Sequence, residues 1–227
     1  MRFDFGITWV AAVVGLLSST AVAAPYYDAE TGFTFSEQRI ACTLTSNVLF
    51  RFAVPNNVPT GQKYDVVLQV VAPNAVGWAG MAWGGSMVQN PLTVGWQNGQ
   101  NTVTTSRWAN SRSTPIAYTG ATYEKLTKGN KANGTHWQFT VKCTGCTSWG
   151  SSSIDPRGSP KFAWACSSSK PSSPSSNTTS LPVHDAHNYW SNDMSSGANA
   201  NFADLVTKNG GHNSYLYNDT ISMRVRR

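Results

Sequence analysis

In Tyr64-Asp65-Val66-Val67-Leu68-Gln69-Val70, the residues Val66, Leu68 and Val70 fall on one face of an extended chain. That is the period of two a half-buried strand requires. Short runs of the same kind, rich in Val, Phe, Trp and Thr, recur at 48–54, 64–72, 92–96, 101–108, 136–142 and 161–166, with Pro, Gly and Asn clusters between them. Helical periodicity is confined to 199–207, ahead of a stop at Lys208-Asn209-Gly210. Such a pattern leaves an all-β chain, an antiparallel β-sandwich, as the expected architecture. No internal repeat is visible, and the low-complexity stretch SSSKPSSPSSNTTS at 167–180 reads as a mobile surface loop.

Residues 1–23 read as a secretory signal peptide, with Arg2, an apolar segment at 7–17 and the small-x-small run Ala21-Val22-Ala23. The apolar segment is shorter than the roughly 20 residues a spanning helix needs. The expectation is therefore a secreted, extracellular monomer with no membrane span, forming a single domain over 24–227. Sequons at Asn133, Asn177 and Asn218 fit a glycoprotein on that route. The net charge of +6 is spread singly along the chain and clusters only at Arg224, Arg226 and Arg227, which speaks against nucleic acid. Asp and Glu together number 11, too sparse to favour a hydrolase built on two placed carboxylates.

In an oxidising compartment the four cysteines, Cys42, Cys143, Cys146 and Cys166, are expected in disulfides. Cys143-Thr144-Gly145-Cys146 is followed by Thr147 where covalent haem attachment needs histidine. A zinc site from Cys143, Cys146, His184 and His187 lacks finger-like spacing. A Cys143–Cys146 bridge is the simpler reading, and elimination leaves Cys42 with Cys166. His136 and His212 read as surface residues, whereas His184 and His187 stand in LPVHDAHNYWSND beside Tyr189 and Trp190.

The stretch GWAGMAWGGSMVQNPLTVGW, 77–96, holds five glycines, three tryptophans and two methionines without one charge. With VGWQNGQNTVTTSRWA, IAYTG, THWQFTVKCTGCTSW, KFAWACS and the His184 to Asp193 spacing, it resembles the haem b cytochrome domain of fungal cellobiose dehydrogenases. The resemblance runs from about residue 31 to 205. It implies a β-sandwich with a non-covalent haem b pocket at one end and an iron held by one methionine and one histidine. Met87 and His184 occupy those positions, with His187 as the fallback, and Arg112 stands where the family contacts a haem propionate. Met81 reads as core. Trp78, Trp83, Trp96 and Trp108 either wall the haem or pack, with packing favoured. Asn188 replaces a family glycine, so a left-handed residue is expected there.

Met/His ligation leaves iron no open position and raises its potential. The resemblance thus implies an electron-transfer cytochrome in lignocellulose degradation and not an enzyme, although a ferric reductase-type side activity is compatible with it. Its expected donor is a flavin-dependent sugar dehydrogenase or small reductant, its acceptor a copper polysaccharide monooxygenase or ferric ion. The G-x-G-x-x-G opening of a flavin domain does not occur. The rival reading is a haem-free carbohydrate-binding sandwich that uses surface tryptophans. A polysaccharide monooxygenase would need an N-terminal histidine after cleavage, and a serine hydrolase would need G-x-S-x-G, which Gly84-Gly85-Ser86-Met87 does not supply.

Overall fold

The computed structural model describes residues 24–43 and 45–212. The signal-peptide segment, Asn218 and the arginines at 224, 226 and 227 lie outside them. The strands are β1 (Ala24–Tyr27), β2 (Thr34–Ala41), β3 (Asn47–Pro55), β4 (Val66–Pro73), β5 (Trp78–Ala82), β6 (Pro91–Asn98), β7 (Asn101–Trp108) and β8 (Ile116–Ala117). They continue as β9 (Thr122–Lys125), β10 (Lys131–Ala132), β11 (His136–Thr144), β12 (Ser148–Trp149), β13 (Ser152–Ser153), β14 (Lys161–Ser167), β15 (Ala186–Ser191) and β16 (Ala198–Asn199), and helix α1 (Phe202–Lys208) follows. The larger sheet runs β1-β2-β3-β4-β11-β10, with β9 on β11 and β16 on β3, and the smaller runs β15-β14-β5-β6-β7-β8. All of these pairings are antiparallel except β16 with β3.

Alternation explains the layers. Phe50, Phe52 and Val54 of β3 and Val66, Leu68 and Val70 of β4 face Met81, Trp83 and Phe162 across the main core. Ala53 and Val67 point the other way, to a second cluster where Phe202, Leu205 and Val206 of α1 cover the larger sheet. Phe52 and Phe162 stack between the sheets with centroids 4.9 Å apart. Two further ties cross this interface. One is the disulfide from Cys42, after β2, to Cys166 of β14; the Cys143–Cys146 disulfide, by contrast, closes only the turn after β11. In the other, Thr93 Oγ1 of β6 lies 2.5 Å from Tyr123 OH of β9 and accepts Trp83 Nε1–H at 2.8 Å. Burial pushes the Tyr123 phenol up to about 12.

The helix starts later than the periodicity indicates, because Asn199 is used as strand. Its side chain accepts from Thr34 N (2.9 Å) and donates to Thr34 O (2.8 Å), fixing β16 before the chain turns. The serine-rich segment is not the loose loop its composition suggests. Trp96 Nε1 donates to Pro174 O at 2.8 Å, and Arg107 Nη2 to the carbonyls of Asn177 and Thr179, each at 2.8 Å. At the opposite edge, buried Lys142 sits 3.0 Å from Glu124 and 3.6 Å from Asp65, while His212 N donates to Glu124. Among the described residues, no helix is long and apolar enough to cross a membrane.

Candidate functional site

Ala79, Met81, Phe162 and Cys166 point into the core, so their strand neighbours face outward. Register then sets Ala165, Gly80 and Val94 in one row and Ala163, Ala82 and Leu92 in the next. The rows continue into β15 with His187 beside Ala165 and Tyr189 beside Ala163. Four adjoining positions with no atom beyond Cβ make a flat, shallow floor. A cavity of about 690 Å³ stands over it, within the size range of cofactor sites. The pocket expected at one end of the sandwich is thereby refined to the outer face of the smaller sheet.

One wall is the loop after β5, which carries Met87. Asn90 Nδ2 donates to Ser86 O (3.0 Å) and Val88 O (2.9 Å), the carbonyls on either side of Met87. Gly84 is needed because a Cβ there would run into the Asn90 amide. Gln89 takes a left-handed φ of 57° and its N–H donates to Ala109 O at 2.9 Å, closing the loop. Met87 itself is half-buried against the cluster of Ala82, Leu92 and Ala109.

A second wall precedes β15. His184 is half-buried and meets exposed His187 edge to face, ring centroids 4.6 Å apart. Burial, and after it the neighbouring His187, hold the His184 imidazole below its ordinary value. Asp185 between them anchors the segment. Its N–H donates to Cys166 O at 2.9 Å, and its carboxylate accepts Ser168 N and Oγ at 2.7 Å each. Those Ser168 bonds hold the Asp185 carboxyl below its usual range. The third wall is the loop after β7, where Arg112 is exposed at the rim and Arg107 Nη1 grips Pro115 O at 3.3 Å.

Met87, His184, His187 and Arg112 thus line one cavity although they are far apart in sequence. The donor set suits a haem iron: thioether and imidazole are both axial ligands of b- and c-type centres, and the flat floor suits a planar macrocycle. Trp78 also lines the cavity, and its indole N–H is buried with no acceptor among the described residues. Trp83 and Trp96 are fully buried, whereas Trp108 stacks on Tyr118 away from the cavity. Met81 lies in the core. Asn188 is not left-handed; it pairs in β15, and Gln89 is the one such non-glycine among the described residues. The disulfide removes Cys143 and Cys146 from any zinc site. Sequence reasoning missed Asn90, Asp185 and Arg107, of which only Asn90, in the turn-like Gln89-Asn90-Pro91, carried a local signal.

Over residues 26–204 the chain matches the family described as the cytochrome domain of cellobiose dehydrogenase. It is 32% identical over 182 residues to a pyrroloquinoline quinone-dependent pyranose dehydrogenase of Coprinopsis cinerea, covering 78% of this chain and 24% of that protein. The chain therefore spans about a quarter of the length of the curated relatives it matches. The solved cytochrome b domain of pyranose dehydrogenase from Coprinopsis cinerea is 27% identical with a TM-score of 0.73, covering 82% of this chain and 95% of that one. The cytochrome domain of Myriococcum thermophilum cellobiose dehydrogenase, 21% identical, shares the fold at a TM-score of 0.72 and covers 84% and 98% of the two chains.

Proposed function

Because the chain belongs to the family of cellobiose dehydrogenase cytochrome domains, a family of electron-transfer modules, we propose that it holds haem b non-covalently between Met87 and His184 and relays single electrons. The observation that carries this reading is the convergence of Met87, His184 and Arg112, from three separate loops, on one cavity with a flat floor. Haem b, held by Met87 and His184, would supply a one-electron iron couple, which a thioether ligand would bias toward the ferrous state.

The chain's own residues do the rest. Asn90 fixes the backbone on both sides of Met87, so the thioether is presented in one orientation. Asp185 does the same for His184 from the far side of the cavity. Arg112 offers a fork of donors to a propionate carboxylate at the exposed rim. Ala163, Ala165, Gly80 and Ala82, which line the cavity floor, would let a planar group approach closely and so keep water from beneath it.

The donor we assign is a sugar dehydrogenase, flavin-dependent or quinone-dependent, and the acceptor a copper polysaccharide monooxygenase or ferric ion. The protein works outside the cell as a monomer, glycosylated at Asn133, Asn177 and Asn218. A sugar-binding sandwich needs exposed tryptophans, and the large exposed hydrophobic side chains among the described residues are Tyr27, Ile116, Val183 and Tyr189. The test is a visible spectrum of protein produced with haem available, followed by acid-acetone extraction. A reducible low-spin spectrum with extractable haem is expected; a colourless protein, or haem that stays bound after extraction, refutes the reading.

A further inference from the structure

Arg107 stands in β7 opposite Leu92 of β6, on the face that carries the cavity, and is 3% exposed. Its guanidinium donates from Nε to Thr105 Oγ1 (3.2 Å), from Nη1 to Pro115 O (3.3 Å), and from Nη2 to the carbonyls of Asn177 and Thr179 (2.8 Å each). Every acceptor is neutral. Among the described residues, no carboxylate comes within ion-pair distance of it. Burial pulls the guanidinium below its ordinary value, but arginine starts high enough to stay cationic.

A buried cation without a counter-charge is costly, and carbonyl dipoles offset only part of that cost. Its immediate neighbours Leu92 and Pro115 both line the cavity, so its field falls on the cavity's occupant. Arg112, exposed on the rim, is screened by water and salt. Arg107, being buried, is screened much less by either.

We propose that Arg107 sets the electron affinity of the cavity: a fixed buried charge that favours the reduced state of a haem bound there, and a brace that fastens the 111–115 and 177–179 walls. The proposal rests on the haem reading above. Adding one electron lowers the occupant's net charge by one, and a nearby cation stabilises that change. A unit charge on the order of 10 Å away, at an effective dielectric near 20, shifts a one-electron equilibrium by about an order of magnitude.

The experiment is a spectroelectrochemical titration of the haem-loaded full chain, at low salt and in molar salt, for wild type, Arg107→Met, Arg107→Lys and Arg112→Leu. Arg107→Met is expected to keep the low-spin spectrum and to lower the reduced-to-oxidised ratio about tenfold at fixed potential, about 59 mV, equally at both salt concentrations. Arg107→Lys restores most of the shift, because the charge returns while the fork does not. The Arg112→Leu shift shrinks in salt. Thr105→Asp places a carboxylate against the guanidinium and reproduces the drop even if Arg107→Met fails to fold. A haem protein whose potential is unmoved in Thr105→Asp, or in a folded Arg107→Met, overturns the proposal alone. A wild type that binds no haem overturns it together with the reading beneath it.

Discussion

The imidazoles of His184 and His187 lie edge to face, 4.6 Å between centroids and 68° between planes. Two potential ligands so close differ in setting, since His184 is half-buried and held from behind by Asp185, whereas His187 is exposed on β15. His184→Ala should therefore abolish the low-spin spectrum and weaken haem retention, while His187→Ala should leave both nearly intact. A spectrum lost with His187→Ala and kept with His184→Ala would move the ligand by three residues and leave electron transfer standing.

On the opposite side, Met87→His should retain haem and lower its potential, because imidazole stabilises ferric iron better than a thioether does. Asn90→Ala should act in the same cavity by a different route. Losing the two bonds that flank Met87 costs about 1 kcal/mol each and should add a high-spin fraction to the spectrum. An Asn90→Ala protein with wild-type spectrum and potential would show that the loop holds itself.

Arg112→Leu should speed haem loss by about tenfold or more, the worth of one charge-assisted hydrogen bond of about 1.5 kcal/mol or above. Haem transfer to an apo-acceptor measures this directly. Equal loss rates would remove Arg112 from the site.

Glu124 yields a prediction away from the cavity. Burial alone would raise its carboxyl, but the His212 backbone and ring and the Lys142 ammonium together hold it below its ordinary 4.5. A folded value below the unfolded one gives stability that is complete above about 4.5 and fades as pH falls through the folded value. Glu124→Gln should cost about 2 kcal/mol at neutral pH, and its denaturation midpoint should converge on wild type in acid. A constant gap down through that range would rule out this linkage.

Replacing Cys42 and Cys166 together by Ser opens a link between residues 124 apart in sequence, and should cost about 2–5 kcal/mol. Non-reducing peptide mapping checks the pairing, and urea titration checks the cost.

Much of this fold was legible because strands write themselves locally. Val66, Leu68 and Val70 declare their face in seven residues, and each of the six runs read as strand overlaps one in the structure. Strand order was not legible: β14 lies between β5 and β15 across a long sequence gap, and a period of two says nothing about which neighbour a strand will choose. Composition misled at 167–180, where serines and prolines suggested mobility and the anchors, Trp96 and Arg107, lie some seventy residues upstream. Asn199 misled the helix boundary for a similar reason, since its partner Thr34 is 165 residues away. The floor of Gly80, Ala82, Ala163 and Ala165 is flat only once two distant strands pair, and no window of sequence contains it.

The Cys42–Cys166 bond holds the edge of that floor to the larger sheet, and Cys166 O in turn receives the Asp185 amide next to His184. The segment bearing the histidine is thus stitched through a covalent bond to the body of the protein. Rigidity of this kind matters most for a centre that only gains and loses an electron. When both oxidation states must occupy the same surroundings, each ångström of rearrangement adds to the reorganisation energy, and a frame that cannot yield keeps the nuclear barrier low. With a haem bound there, the disulfide would favour fast electron exchange as well as durability.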